Sequence, residues 1–276
     1  MKTLNYVEEI LNDVQKFYPW LERNDVKFSS DAFHSLGIFI VRNLFSREEI
    51  ELARESWLLS SGSLESGRTL RFNPVENLDL SEKLLTLSRR ENILTIVRNI
   101  FGPKIGVFKR RVLAKDGSYS GSIFLHQDSG YQRGTLDKLS VFIALTDVQI
   151  NSGGLEFWLG TNRFGYLDDA GEISRQALPE NWPVHQPTLA IGDAILMDSR
   201  VWHGSGENTS GLARIMTDFI YQSADCPSSL EVINEDGQFY ETKSPILFSS
   251  PTLFSRSRVS KLQELSAKLQ EFKIET

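Results

Sequence analysis

Cys226 is the only thiol in the 276 residues. No intrachain disulfide can form, and no thiolate zinc cluster can be built within one chain. That agrees with a reducing compartment. No apolar run reaches the roughly 18 residues that a membrane-spanning helix needs. The opening stretch Met1-Lys-Thr-Leu-Asn-Tyr-Val-Glu-Glu9 carries acids where a secretory signal would need an apolar segment. The expectation is a cytoplasmic protein without a membrane partner. Positive charge is also in short supply. Thirty Lys and Arg against 36 Asp and Glu give a net charge of −6, which argues against nucleic acid as the main partner, because phosphate binding needs a basic face. Internal repeats, low-complexity tracts and Pro/Ser/Gly linkers are missing. One domain over residues 1–276 is therefore expected.

Hydrophobic residues make up 40% and charged residues 24% of the chain, ordinary values for a globular protein with a sizeable core. The first hundred residues read as helical. Leu4, Val7, Leu11, Val14 and Phe17 fall near helical spacing. Gly37–Val41 is a short apolar run that predicts a strand. Ser46-Arg-Glu-Glu49 is a capping-box pattern that predicts a helix to about Leu59. Ser81 is expected to cap another helix that runs to Phe101 and stops at Gly102-Pro103.

Beyond Pro103 the signals are mostly short strands: 105–114, 122–126, 138–147, 154–159, 188–191, 194–197 and 213–222. Turn residues such as Ser152-Gly153-Gly154 and Gly192-Asp193 separate them. A helical pattern over 256–273 closes the chain. Helices followed by many strands predict a mainly β, α+β fold: a jelly-roll core at about 103–225 behind a helical buttress at about 1–102. Residues 163–187 carry few strand signals and are expected to form a lid or binding loop.

The chain has only four histidines: His34, His126, His185 and His203. His126-Gln127-Asp128 sets an imidazole and a carboxylate two residues apart. In extended backbone, residues i and i+2 point to one side, so both groups can reach one metal ion. A third ligand from a distant strand would complete a two-His-one-carboxylate triad with open positions. An isolated His-x-Asp is more often structural than ligating. The segment Gly192-Asp193 to His203-Gly-Ser-Gly206 and Asn208 supplies turn, apolar strand and histidine in order. Eleven residues after His203, Arg214 sits in the apolar run Leu212–Tyr221. An arginine there needs an anionic partner, which is either a protein acid, solvent on an outer face, or a ligand carboxylate matching its planar fork.

From about Phe108 to Tyr221 the sequence resembles the phytanoyl-CoA dioxygenase-like family of Fe(II)/2-oxoglutarate-dependent oxygenases. The resemblance rests on His126-Gln127-Asp128, Asn151-Ser-Gly-Gly-Leu155, Leu159-Gly-Thr-Asn-Arg163, Gly192-Asp193, His203-Gly-Ser-Gly206, Asn208 and Arg214, in that order. It implies a double-stranded β-helix (jelly-roll, cupin-like) core. It also implies that His126, Asp128 and His203 are the iron ligands, with no catalytic group beyond them. Arg214, with Ser205 beside it, would hold the distal carboxylate of 2-oxoglutarate. With O2 as second co-substrate, the implied reaction hydroxylates an unactivated C–H bond and releases succinate and CO2. Desaturation, cyclisation and epimerisation are alternatives open to the same site. Leu159-Gly-Thr-Asn162 departs from the Pro-Gly-Ser-His common in the family, which puts the geometry of that loop in question.

The substrate is less legible. Candidate pocket residues are Gln127, Arg71, Phe72, Phe108, Arg110, Tyr131, Phe157 and Trp202. The acids of Leu167-Asp-Asp-Ala-Gly-Glu172 in the expected lid favour a cationic or polar small molecule, such as an amine- or guanidine-bearing specialised metabolite. Two other classes share parts of the pattern. A metal-dependent hydrolase would also use two histidines and a carboxylate, but would not need Arg214. A non-catalytic jelly-roll binding protein would gain nothing from iron.

Overall fold

The computed structural model describes residues 2–25, 27–61, 71–74, 82–115, 121–132, 134–167 and 171–241. The helical pattern at 256–273 lies outside them. Helix α1 (Lys2–Phe17) turns Ile10, Val14 and Phe17 into the core. The side chain of Ser29 caps α2 (Ser30–Leu36), accepting from the Ala32 amide, and Gly37, at φ 79°, ends it. β1 (Ile38–Val41) follows. The capping box before α3 (Arg47–Ser61) is formed in both directions: Ser46 Oγ accepts from the Glu49 amide at 3.2 Å, and Glu49 Oε2 accepts from the Ser46 amide at 3.1 Å. After β2 (Arg71–Pro74), the single helix expected up to Phe101 is two, α4 (Glu82–Leu87) and α5 (Glu91–Phe101). The break falls at Arg90, whose backbone is extended (φ −72°, ψ 137°). Just before it, buried Ser88 turns its hydroxyl to the Leu85 carbonyl and accepts from Arg110, and Arg89 pairs with Glu231, which anchors the end of α4.

The described β-strands form two antiparallel sheets. In the larger, the order is β1, β8 (Ala194–Asp198), β5 (Lys138–Ala144), β10 (Arg214–Ser223), β3 (Ile105–Lys115), β11 (Glu231–Ile233) and β12 (Phe239–Glu241), with β2 also on β3. The smaller runs β4 (Ile123–His126), β9 (Trp202–Ser205), β6 (Leu155–Trp158) and β7 (Val184–His185). The two sheets and the helices share one continuous apolar core. This is the expected jelly-roll architecture with helices packed on it.

The strand expected at 188–191 is reduced to a single bridge between Val148 and Leu189. The amides of Ala190 and Ile191 donate instead to the carboxylates of Asp193 and Asp147, and this side-chain competition stops the ladder. No helix among the described residues is long and apolar enough to cross a membrane.

Candidate active site

β4 and β9 bring His126 and His203 directly opposite one another, with ring centroids 4.3 Å apart. Gln127 stays extended (φ −107°, ψ 139°), so Asp128, which opens the 3-10 turn Asp128–Tyr131, returns to the side of His126. His126 Nε2 lies 3.6 Å and His203 Nε2 3.9 Å from Asp128 Oδ1. Donor atoms of the three residues lie within 4.8 Å of one another.

The far ring nitrogens fix the tautomers. Nδ1 of His126 faces the Phe124 carbonyl at 2.8 Å, and Nδ1 of His203 faces that of Val201 at 3.1 Å. A carbonyl only accepts, so each Nδ1 carries a proton and each Nε2 presents a lone pair. Burial, helped by His126, pushes the His203 imidazole down to about 4. Burial alone would raise Asp128. The opposing causes are a hydrogen bond from His126 and the charges of His203 and Arg111, and they hold the carboxyl below its usual range; the two imidazole contributions need an Nε2 proton, which a bound metal would replace. Neutral imidazole and ionised carboxylate are the protonation states that bind metal. Asp128 Oδ2 is also buried without a hydrogen-bond partner, although Arg111 Nη2 stands 3.8 Å away, which leaves an acceptor free for a metal. The residues fit a divalent metal. Two imidazoles and one carboxylate with open positions suit non-haem iron(II).

These groups form one wall of a cavity of about 290 Å3. Phe108, Phe124, Tyr131, Phe142 and Leu155 give it a largely apolar surface. Ser205 and Arg214 line it too. Arg214 is 2% exposed, and among the described residues its one hydrogen bond goes to the Gly153 carbonyl at 3.0 Å. Its Nε is buried without a partner. No carboxylate of the described residues pairs with it, and burial pulls its guanidinium down to about 10. Of the three partners the sequence allowed for this arginine, a described protein acid and solvent are both excluded.

Arg111 escaped the sequence reading. It lines the cavity, donates from Nε to Asp218 at 2.6 Å, and holds Nη2 3.8 Å from Asp128 Oδ2. Strand parity was the available signal: Arg111 lies in step with the inward positions of β3.

Several expected pocket residues lie elsewhere. Arg110 points to the opposite face of β3, donating to Ser88 Oγ and Glu231 Oε1, both at 2.7 Å. Gln127 faces away from His126 and Asp128, as strand alternation requires, and is not among the residues lining the cavity. Its Nε2 donates to the carbonyls of Gly165 (2.8 Å) and Arg200 (2.6 Å), and its Oε1 accepts from the Leu167 amide at 3.1 Å. Phe157 is fully buried behind His203, nearly parallel to its ring at 6.3 Å. Trp202 packs on Phe164, on the outward face of β9. Phe108 and Tyr131 do line the cavity. Phe108 reaches it because a bulge in the β3–β10 register lets both Phe108 and Lys109 face inward. The side chains of Arg71 and Phe72 lie outside the described part of the structure, although their backbone pairs with β3.

The 159–163 loop has a clear local role. Asn162 Nδ2 donates to the His34 carbonyl at 2.9 Å, and Arg163 pairs with Asp13 and Glu9. A Cβ at Gly160, whose φ is 77°, would fall 2.7 Å from Ile10. The loop thus fastens α1 and α2 to the small sheet.

Fold and site together define an iron(II)/2-oxoglutarate-dependent oxygenase of the jelly-roll type. The profile of the Phytanoyl-CoA dioxygenase (PhyH) family matches residues 33–216, more than half of the chain, and the chain belongs to that family. Comparison with curated protein sequences gives no significant match. Among solved structures, the epimerase SnoN in complex with Fe3+, alpha ketoglutarate and nogalamycin RO aligns at TM-score 0.60 and 20% identity, over 77% of this chain and 85% of its own. The carbocyclase SnoK from nogalamycin biosynthesis aligns at 0.61 and 20%, over 72% and 86%. EctD from S. alaskensis, with 2-oxoglutarate and 5-hydroxyectoine, aligns at 0.60 and 21%, over 73% and 78%. At these identities the likeness is one of fold.

Proposed function

We propose that His126, Asp128 and His203 hold the iron, that Arg214 and Ser205 hold the distal carboxylate of 2-oxoglutarate, and that the protein hydroxylates an unactivated C–H bond of a small specialised metabolite, with release of succinate and CO2. The observation that carries this reading is Arg214. It is a buried guanidinium with no described carboxylate partner, at the wall of the cavity that also holds the triad. A dicarboxylate reaching from the metal to Arg214 would supply the missing charge.

Bound iron supplies the centre at which the keto acid and O2 react. The chain's own residues do the rest. The Phe124 and Val201 carbonyls aim the two Nε2 lone pairs. Arg111 steadies Asp128. Phe108, Phe124, Tyr131 and Phe142 keep water from the substrate's apolar body. An amine- or guanidine-bearing substrate finds little support: beyond Asp128, the charged side chains lining the described cavity are Lys109, Arg111 and Arg214, all basic. Of the lid acids behind that expectation, Asp168 and Asp169 lie outside the described residues. The continuous core supports a single domain.

Cyclisation or epimerisation is the second reading, favoured because SnoK and SnoN, a carbocyclase and an epimerase, share the fold. Anaerobic titration with Fe(II) and then 2-oxoglutarate should develop a weak visible charge-transfer band. Succinate release across a metabolite library would then identify the substrate. No band and no succinate would leave a hydrolase or a binding protein.

A further inference from the structure

Behind Arg214 lies a second buried base. Lys115, the last residue of β3, stands directly across from Arg214, the first of β10, and is fully buried. Its Nζ donates to the Gly121 carbonyl at 3.1 Å and to that of Gly206. Its Cδ fills the space where a Cβ on Gly153 would stand, at 2.8 Å, and Gly153 gives its carbonyl to Arg214. Lys115 thereby joins three loops. One leads into β4 and His126, one into β6, and one leaves β9 just after His203 and Ser205.

Neither base is in an ion pair among the described residues. The charged groups facing Lys115 are Arg214 on β10, Glu156 on β6 and Glu207 after β9, and the two acids act only through space. Like charges held side by side in a buried site repel, and neither Glu156 nor Glu207 closes an ion pair with them among the described residues, so a carboxylate arriving at Arg214 would be favoured here.

Resting on the co-substrate assignment above, we propose that Lys115 is a positioning residue for 2-oxoglutarate: it sets the loops around Arg214, and the Arg214–Lys115 pair together makes the Arg214 wall of the cavity answer to a carboxylate. Lys115 itself does not line the cavity, so its effect passes through Arg214 and the loops. Burial first, and Arg214 second, pull the Lys115 ammonium down to about 7. A carboxylate on Arg214 cancels the second cause and favours the protonated lysine. Binding of 2-oxoglutarate should then take up protons above about pH 7, and its affinity should fall as pH rises, by at most tenfold per unit for one linked proton.

The test is calorimetry of 2-oxoglutarate binding to the Fe(II)-loaded protein, kept anaerobic, at pH 8 in two buffers of different ionisation enthalpy. The expected result is a net uptake of a fraction of one proton. Lys115→Met keeps the stem and removes the charge. It should weaken 2-oxoglutarate about tenfold, abolish the proton uptake, and leave Fe(II) affinity and kcat at saturating 2-oxoglutarate near the parent values. Lys115→Arg should recover affinity in part without proton uptake. The parent measurement stands even if the variants fold poorly. Tight binding without proton uptake in the parent would overturn the proposal and spare the enzyme assignment. Absence of any 2-oxoglutarate binding would overturn both.

Discussion

Arg110 and Arg111 are adjacent in β3 and serve opposite faces of the sheet. Arg110 reaches outward to Ser88 and Glu231, while Arg111 reaches inward to Asp218 and towards Asp128. Asp218 is completely buried, and burial raises its carboxyl despite the opposing pull of Arg111. Removing one partner of a buried pair costs on the order of 3–5 kcal/mol. Arg111→Met should therefore lower the melting temperature sharply and weaken Fe(II) binding. The double variant Arg111→Met/Asp218→Asn should regain stability relative to the single one without regaining metal affinity. Equal stability of both would show that the pair is not coupled. Thermal denaturation with Fe(II) titration separates these outcomes.

The triad gives the sharpest loss. His126→Ala or His203→Ala should abolish succinate formation and strongly reduce Fe(II) binding, with the fold retained by circular dichroism. His34→Ala and His185→Ala should keep most activity. Neither His34 nor His185 is among the residues gathered at the metal centre. Full turnover by His203→Ala would reject the centre.

Arg214 has a graded expectation. Losing one partner of a buried charge-assisted contact costs roughly 2–5 kcal/mol, and each 1.4 kcal/mol is about tenfold in affinity. Arg214→Ala should thus raise the 2-oxoglutarate constant by roughly 30-fold or more while Fe(II) affinity changes little. Lys at this position should restore only part, since an ammonium lacks the planar fork. Unchanged keto-acid binding by Arg214→Ala would make this arginine purely structural.

Gln127 ties the segment after Phe164 to the ligand strand through Gly165 and Leu167. Gln127→Leu should speed amide exchange of Leu167 and its neighbours. In the parent protein, residues 163–187 should exchange more slowly once iron, 2-oxoglutarate and substrate are bound. Exchange that ignores both the substitution and the ligands would exclude a lid.

The clustering of His126, Asp128 and His203 is legible because its parts are local or ordered: His126 and Asp128 share one extended turn, and His203 follows a strongly apolar strand. The capping box at Ser46 was legible for the same reason. Long-range pairing was not. Nothing near Ser88 announces that Arg110 and Glu231, 121 residues apart, will converge beside the gap between α4 and α5. Parity along β3 was decisive and easily mistaken. A one-residue error moves every side chain to the other face, which is how Arg110 stood in for Arg111. The bulge at Phe108 then altered the parity again. Lys115 gave no signal at all, because a lysine ending a strand reads as solvent-facing until the loops around it are in place.

His126 and His203 oppose each other across β4 and β9, and β4 is the edge of the smaller sheet. Its pairing is irregular, with a register shift between Ile123 and His126. A metal ion bound there would act as a staple across that edge, joining the outermost strand to its neighbour where the backbone ladder is thinnest. Metal loading and docking of the strand would then be one equilibrium. Ligand held at about a hundred times its dissociation constant adds ~2.7 kcal/mol to stability. A chelator should accordingly loosen β4 first, with faster exchange at its amides before the larger sheet responds.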